Sequence, residues 1–79
     1  MLLKRQNMTV EEIGITVKKH RKAAGLSRIA CAHLAGVGKT ALYDLEHGKP
    51  SVQLDTLLKI LHVLNIQFSL QSPLIYEKG

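Results

Sequence analysis

The sequence predicts a small, mainly α-helical domain in which four helices are followed by one β-strand. Helix-capping residues recur along the chain, and apolar residues follow them at helical spacing as far as Leu64. After Asn65 the apolar residues alternate strictly with polar ones, as they do in a strand. With 79 residues, of which 24 are Leu, Ile or Val, the chain is sized for one folded domain and too apolar for a disordered one.

The composition excludes several classes of protein. No apolar run approaches the roughly 18 residues that cross a bilayer, and the flexible basic leader expected at residues 1–8 lacks the apolar stretch of a signal peptide. A single cysteine cannot form an internal disulfide. We therefore expect a cytoplasmic protein without membrane contact, and a domain small enough to need a partner for stability.

The first predicted helix begins at a capping box formed by Thr9 and Glu12. It is expected to run to Ala24 and to end at Gly25, a residue common just after helices. A basic run at residues 18–22 covers every direction around the helix, so it is not one patch, and we expect Arg21 to point inward. The rest of the inner face is expected to consist of Ile13, Val17, Ala24 and, in part, His20.

Two short helices come next, separated by a turn at residues 36–38. Ser27 caps the first of them, which is predicted over residues 28–35, and the second is predicted from Lys39 to about His47. The residues expected to pack inward are Ile29, Cys31, Ala32 and Leu34 in the former and Leu42 and Leu45 in the latter.

Pro50 separates these helices from a fourth one, predicted from about Gln53 to Leu64. Its apolar residues recur at helical spacing, and together with its predecessors it completes a domain over residues 9–64. The leucines that form this pattern are Leu54, Leu57, Leu58, Leu61 and Leu64.

The predicted strand lies within residues 65–72, where Ile66, Phe68 and Leu70 alternate with polar residues. Because the chain offers no second strand, we expect this strand to pair antiparallel with its copy in a homodimer. The alternative is a frayed tail that covers the fourth helix of its own chain. Residues 73–79 are expected to form a tail beyond the strand.

Positive charge is concentrated in the first part of the chain. Residues 1–49 carry nine Lys or Arg and four Asp or Glu, whereas residues 50–79 carry two of each. This asymmetry predicts that one end of the domain contacts a polyanion and the other contacts protein. The alternative is a basic surface that is merely solvated.

No motif in the sequence supports enzymatic chemistry. The run from Gly36 to Thr40 resembles the end of a phosphate-binding loop, but His33 occupies the position of the first glycine, and the chain has no room for a parallel sheet. The four histidines lie 13, 14 and 15 residues apart, which is not metal-ligand spacing, and Cys31 is expected in the core. We therefore expect no enzyme, no metal site and no cofactor.

The second and third helices, with their three-residue turn, match a helix-turn-helix, whose second helix enters the major groove of DNA. The exposed positions of that helix are expected to be Lys39, Thr40, Tyr43 and Asp44, all able to contact base edges, while Gly38 allows close approach. Ser27 and Arg28 lie at a helix start, where a phosphate is favoured. The alternative is an ordinary helical hairpin with solvated polar residues.

Three motifs resemble those of the phage-repressor-like (Xre/Cro) helix-turn-helix family. They are Val17-x-x-x-Arg21-x-x-x-Gly25-Leu26-Ser27, Leu34-Ala35-Gly36-Val37 and Leu45-Glu46-x-Gly48-Lys49-Pro50. The leucine-rich continuation from Leu54 to Leu70 resembles more particularly the HipB antitoxins, in which four helices are followed by one strand. The fold implied is a four-helix repressor-like domain whose strand pairs across a homodimer.

The resemblance also implies roles for individual residues. Base contacts fall on Gly38, Lys39, Thr40 and Tyr43, and phosphate contacts on Ser27, Arg28 and Lys49. Arg21 and Glu46 would form a buried ion pair, and Ile66, Phe68 and Leu70 would lie at the dimer interface. The chain departs from the family pattern at Arg28, where glutamine is usual, and at Cys31, where leucine is usual.

A protein of this kind would be a homodimeric repressor that binds double-stranded operator DNA. As the resemblance implies, it would repress its own operon and bind a HipA-like kinase toxin. Two alternatives stay open: a free-standing phage-type or host regulator without a toxin, and a protein-interaction adaptor that binds a kinase with weak DNA contact.

Overall fold

A computed structural model of the chain describes residues 8–70, which contain four α-helices. These are α1 (Val10–Ala23), α2 (Arg28–Ala35), α3 (Lys39–Glu46) and α4 (Leu54–Val63). All four helices are predicted correctly from the sequence, to within one residue at each end. The predicted tail, residues 71–72 of the predicted strand and all of the leader except Met8 lie outside the described residues.

Local hydrogen bonds account for where the helices begin and end. The Thr9 hydroxyl accepts from the Glu12 amide and the Glu12 carboxylate accepts from the Thr9 amide, both at 3.1 Å, so the predicted capping box is present. Ser27 accepts from the Ala30 amide at 3.0 Å. Each helix is followed by a residue with positive φ, which reverses the chain within a few residues. These residues are Gly25, Gly36, Gly48 and Asn65.

The helices enclose one apolar core. α1 packs mainly against α3, and α2 packs against both α3 and α4. Leu42 of α3 and Ile60 of α4 are fully buried at its centre. Within residues 8–70 the buried apolar side chains of this core are Val17, Cys31, Ala32, Ala35, Leu42, Leu45, Leu57, Ile60, Leu61 and Leu64. Two short helices, α2 and α3, are thereby fixed against the longer α1 and α4.

Several residues that the sequence predicts to be inside are exposed. In α2, Ile29 is 65% and Leu34 60% exposed, because the face against the core consists of the small residues Cys31, Ala32 and Ala35. A helix turns about 100° per residue, so Ile29 and Leu34 lie outside that face.

The same correction applies to α1. His20 and Ala24 are exposed, and the inner positions of α1 are taken by Gly14, Val17 and Arg21. In α4, Leu54 and Leu58 are exposed, because a helix on the surface of a small domain buries only one stripe of a wider apolar face. The expectation that Arg21 points inward is confirmed.

Gly14 allows α1 to cross closely over the end of α3. A β-carbon at this position would overlap with the carbonyl oxygen of Leu45 and would lie 3.1 Å from that of Glu46. Both obstructing atoms belong to the backbone, which cannot rotate away as a side chain can. The crossing therefore requires glycine, although glycine is unfavourable within a helix.

We expect Gly14→Ala to lower the free energy of unfolding by about 1–3 kcal/mol, because the clash outweighs the better helix propensity of alanine. Urea denaturation followed by far-UV circular dichroism measures this loss. Gly38→Ala is the comparison variant: a β-carbon there meets no atom within 4 Å, so we expect only the loss of less than about 1 kcal/mol that alanine causes as the N-cap of α3. A Gly14→Ala variant as stable as the wild type would contradict the close helix crossing.

The segment after α4 packs partly against its own chain. Ile66 is half-buried on the core, and Phe68 lines a crevice of about 50 Å³ together with Ile13 and Leu61. Within residues 8–70 of this single chain, no residue is in a strand. The strand and its pairing with a second copy therefore stay a prediction, as does the alternative of a covering tail.

Candidate nucleic-acid interface

An open cleft of about 490 Å³ lies at the N-terminal ends of α2 and α3. The turn at residues 36–38 joins these helices, with Gly36 in the left-handed conformation and Val37 packed against the core. The residues that line the cleft are Ser27, Arg28, Ile29, Lys39, Thr40 and Tyr43. The structure thus brings together two predicted phosphate-contacting residues and three predicted base-contacting residues. Ile29 is the lining residue that sequence analysis assigned to the core.

Helix α3 divides into an inner and an outer face. Leu42 and Leu45 are buried, while Lys39 and Thr40 are exposed and Tyr43 is 47% exposed. These three side chains are therefore accessible from outside the domain, as predicted.

Asp44 and Lys49 lie outside the set of cleft-lining residues. Asp44 is half-buried, and its carboxylate lies 3.6 Å from the ammonium nitrogen of Lys49. The ammonium group is accessible, since 58% of the Lys49 side chain is exposed. One predicted base contact and one predicted phosphate contact therefore form an ion pair with each other in this structure.

Arg21, Arg28 and Glu46 form an ion cluster behind the cleft. The Glu46 carboxylate is completely buried and accepts from Arg21 Nε at 2.6 Å and from Arg28 Nε at 3.0 Å. Arg21 also donates to the second Glu46 oxygen at 3.0 Å and to the Leu26 carbonyl at 2.9 Å. The resemblance implied the pair between Arg21 and Glu46, but the participation of Arg28 was missed. Residues 28 and 46 lie on different helices, and no spacing rule links them.

The ion pair between Arg21 and Glu46 shifts the pKa of both groups. Burial by itself would raise the pKa of Glu46, but the hydrogen bonds from Arg21 and Arg28 outweigh it, so this pKa lies below its ordinary value. The hydrogen bond to Glu46 raises the pKa of Arg21. Both shifts favour the charged forms of Glu46 and Arg21 at neutral pH. Nearby, burial raises the pKa of the Cys31 thiol, which makes it an unreactive core residue.

The Tyr43 ring contacts Arg28 at the start of α2 and His47 at the end of α3. The Arg28 guanidinium carbon lies 5.2 Å from the centre of the Tyr43 ring. The His47 ring stacks on Tyr43 with 4.0 Å between ring centres, and His47 Nδ1 donates to the Tyr43 carbonyl at 2.7 Å. The role of His47 was missed, although its position four residues after Tyr43 places both on one side of a helix.

In the part of the chain that the structure describes, no three His, Cys, Asp or Glu side chains come close enough to hold a metal ion. None of the helices over residues 8–70 is long and apolar enough to cross a membrane.

Two short helices joined by a three-residue turn, with exposed polar residues at the start of the second, define a helix-turn-helix DNA-binding domain. The family model described as helix-turn-helix (HTH_3) matches residues 17–71, and the chain belongs to this family. A relative from Sinorhizobium fredii, the uncharacterized HTH-type transcriptional regulator y4mF, is 35% identical over 65 residues, which are 82% of this chain and 86% of that protein. The protein is therefore a helix-turn-helix transcription regulator.

Solved structures agree with this assignment. The restriction-modification controller protein C.AhdI from Aeromonas hydrophila matches with a TM-score of 0.67 and 29% identity over 73% of this chain and 88% of that one. HipB, in its complex with the O4 20-mer, matches with a TM-score of 0.75 and 19% identity over 87% of this chain and 97% of that one. HipB in the HipA–HipB–O2–O3 complex gives the same values. The HipB likeness shows the shared fold, and the resemblance to the Xre/Cro family is confirmed.

Proposed function

We propose that this regulator is a homodimeric repressor of its own operon and the antitoxin of a HipA-like kinase. The cleft at the starts of α2 and α3 carries the DNA-binding part of this proposal. It unites basic and hydroxyl side chains on one open surface, and the chain as a whole has a net charge of +5. Such a surface is attracted to DNA before any base is recognised.

Phosphate contacts would come from the start of α2 and from the loop after α3. The Ser27 hydroxyl accepts a hydrogen bond from the Ala30 amide, and its own hydrogen can be donated to a phosphate oxygen. Arg28 and Lys49 would add positive charge on either side of α3. These contacts are independent of sequence, so they supply affinity and its salt dependence.

Base contacts would come from the exposed face of α3. Lys39 suits guanine acceptors, Thr40 suits a base edge or a thymine methyl, and Tyr43 offers a hydroxyl and a ring. Asp44 could accept from cytosine if DNA displaces Lys49 from its carboxylate. Gly38 is compatible with a base contact at the start of α3. A β-carbon there would meet no protein atom within 4 Å, so no clash inside the protein requires glycine at this position. As the N-cap of α3, a position where glycine is favoured over alanine, Gly38 would also allow close approach of DNA to the start of this helix.

A dimer would place two copies of α3 against two half-sites about one helical turn apart. The apolar side chains of Ile66, Phe68 and Leu70 would form the interface, as in the predicted intersubunit sheet. Phe68 is 47% and Leu70 72% exposed in the single chain, so both have apolar surface left to bury.

The kinase partner is supported by the fold shared with HipB, which has been solved in a complex with HipA. A HipA-like kinase gene next to this one, and co-purification of the two products, would support the antitoxin role. A lone gene, or a kinase that does not co-purify, would count against it.

A gel shift against DNA from upstream of the gene tests the repressor role. Scrambled DNA of equal length serves as competitor at about 0.15 M salt. We expect a preference of roughly a thousandfold for the upstream DNA, within the usual range of specific over nonspecific binding. Equal binding to both DNAs would leave only a basic protein, and the adaptor that binds a kinase with weak DNA contact would become the better explanation.

Lys39→Ala is expected to weaken binding to the selected operator by about 1–3 kcal/mol and to relax specificity at the base pair it contacts. The same gel shift, repeated with single-base variants of the operator, measures both effects. Lys59→Ala is the matched control, since Lys59 is an exposed lysine on α4 and does not line the cleft. An equal loss on every DNA sequence would contradict the base contact.

A second candidate function is a free-standing regulator without a toxin. The likeness to the controller protein C.AhdI, at 29% identity, favours this candidate specifically. Both candidates require operator binding, so the gel shift does not separate them. The identity of the neighbouring gene does.

A further inference from the structure

We propose that Arg28 is a positioning residue that fixes the orientation of Tyr43 and thereby selects the bases that α3 prefers. This assignment rests on the proposed function, because it requires base recognition by α3. It gives Arg28 a role in specificity beyond the sequence-independent phosphate contact that sequence analysis assigned to it.

Arg28 is anchored at one end by a buried acid. Its Nε donates to Glu46 Oε1 at 3.0 Å, and the Glu46 side chain is fully inaccessible. Arg21 holds both oxygens of the same carboxylate, with its Nε on Oε2 and its second terminal nitrogen on Oε1. The acceptor that orients Arg28 therefore lies in the buried interior rather than on the solvent-exposed surface.

Arg28 also contacts the Tyr43 ring. The guanidinium carbon of Arg28 lies 5.2 Å from the ring centre, inside the roughly 6 Å range of attraction between a cation and an aromatic face. His47 stacks on the same ring and bonds to the Tyr43 carbonyl. Arg28 from α2 and His47 from the end of α3 thus both favour the observed orientation of the ring. A side chain fixed in this way loses little conformational entropy on binding and offers its hydroxyl in one direction.

A residue that only contacts phosphate has different requirements. Only one third of the Arg28 side chain is exposed, and its Nε hydrogen bonds to protein instead of pointing to solvent. A phosphate contact needs positive charge, which lysine also supplies. Arg28 makes both contacts at once, with Nε on Glu46 and the guanidinium carbon 5.2 Å from the centre of the Tyr43 ring, and the single ammonium of lysine cannot occupy both positions. Arg28→Lys therefore separates the two roles.

The experiment selects preferred sites from randomised DNA with the wild-type protein and then compares affinities for that site and for its single-base variants. We expect Arg28→Lys to reduce discrimination about tenfold at the base pairs that Tyr43→Ala also affects, with an unchanged dependence of affinity on salt. Arg28→Gln is expected to reduce discrimination at the same base pairs and, in addition, to lower the salt slope by about one. A discrimination ratio compares two DNAs bound by the same folded molecules, so a partial loss of stability does not alter it.

The decisive comparison introduces Arg28→Lys into a protein that already carries Tyr43→Ala. If Arg28 acts through Tyr43, Arg28→Lys has no further effect on base discrimination once Tyr43 is alanine. A full effect of Arg28→Lys in that background would overturn the assignment. So would an Arg28→Lys protein with wild-type discrimination and an Arg28→Gln protein that is weaker by the same factor on every DNA. A wild-type protein that selects no sequence would instead overturn the proposed function, which keeps the two failures distinct.

Discussion

Glu46→Ala is expected to lower the free energy of unfolding by about 3–5 kcal/mol, because it removes the acceptor of two arginines and leaves the buried Arg21 without a counter-charge. A domain of this size has roughly 4–12 kcal/mol of stability in total, so the variant would lose between about a quarter and all of it. Urea denaturation of the wild type and the variant at neutral pH, followed by far-UV circular dichroism, measures the difference.

Asp44→Ala is the matched control on the same helix. Its carboxylate is partly exposed and lies 3.6 Å from an accessible lysine, which is the geometry of a weak surface ion pair. Its loss should cost less than about 1 kcal/mol. Equal destabilisation by both substitutions would contradict a special role for the buried cluster.

The lowered pKa of Glu46 predicts how the free energy of unfolding depends on pH. The pKa of Glu46 is lower in the folded protein than its ordinary value of 4.5, so its contribution is complete above that value. The contribution is lost as the pH falls from there through the folded pKa, because protonation breaks the ion pairs. Stability curves measured at decreasing pH should therefore fall more steeply for the wild type than for Glu46→Gln. Parallel curves would contradict this assignment.

The helix bounds could be predicted because they depend on residues that are close together in the sequence. The bounds of α1 depend on a capping box at Thr9 and a left-handed residue at Gly25. Each of these residues makes its hydrogen bond to a residue three positions away in the sequence, so both can be recognised locally. The exposed face of α3 could be predicted for a similar reason, since Leu42 and Leu45 fix which side faces inward.

Contacts between helices could not be predicted in the same way. The need for glycine at position 14 arises from the carbonyl groups of Leu45 and Glu46, which approach only when α1 and α3 pack. The bond between Arg28 and Glu46 joins residues 18 positions apart in sequence. The exposure of Ile29 follows from which face of α2 meets the core, and a short helix with apolar residues on several sides does not reveal that face. Five of the six cleft residues were thus predicted from their positions, whereas the exposure of Ile29 and the bond between Arg28 and Glu46 required the structure.

Phe68→Asp is expected to convert the proposed dimer into a monomer. A charge placed in an apolar interface between two strands should weaken dimerisation by at least about 4 kcal/mol, or roughly a thousandfold in the dissociation constant. Because operator binding would need two linked copies of α3, affinity for the full operator should fall with it. Sedimentation of the wild type and the variant at equal concentration measures the change directly.

Two further variants distinguish the dimer from a tail that covers α4. Ser69→Asp introduces the same charge on the opposite face of the predicted strand and should leave the dimer intact. Leu70→Asp changes a residue that is 72% exposed in the single chain, so it should break the dimer without disturbing the fold of the monomer. If residues 66–70 only cover their own helix, Phe68→Asp would lower the stability of the chain, because Phe68 lines the crevice with Ile13 and Leu61. In that case neither Phe68→Asp nor Leu70→Asp would change the sedimentation of the protein, and the proposed intersubunit sheet would be wrong.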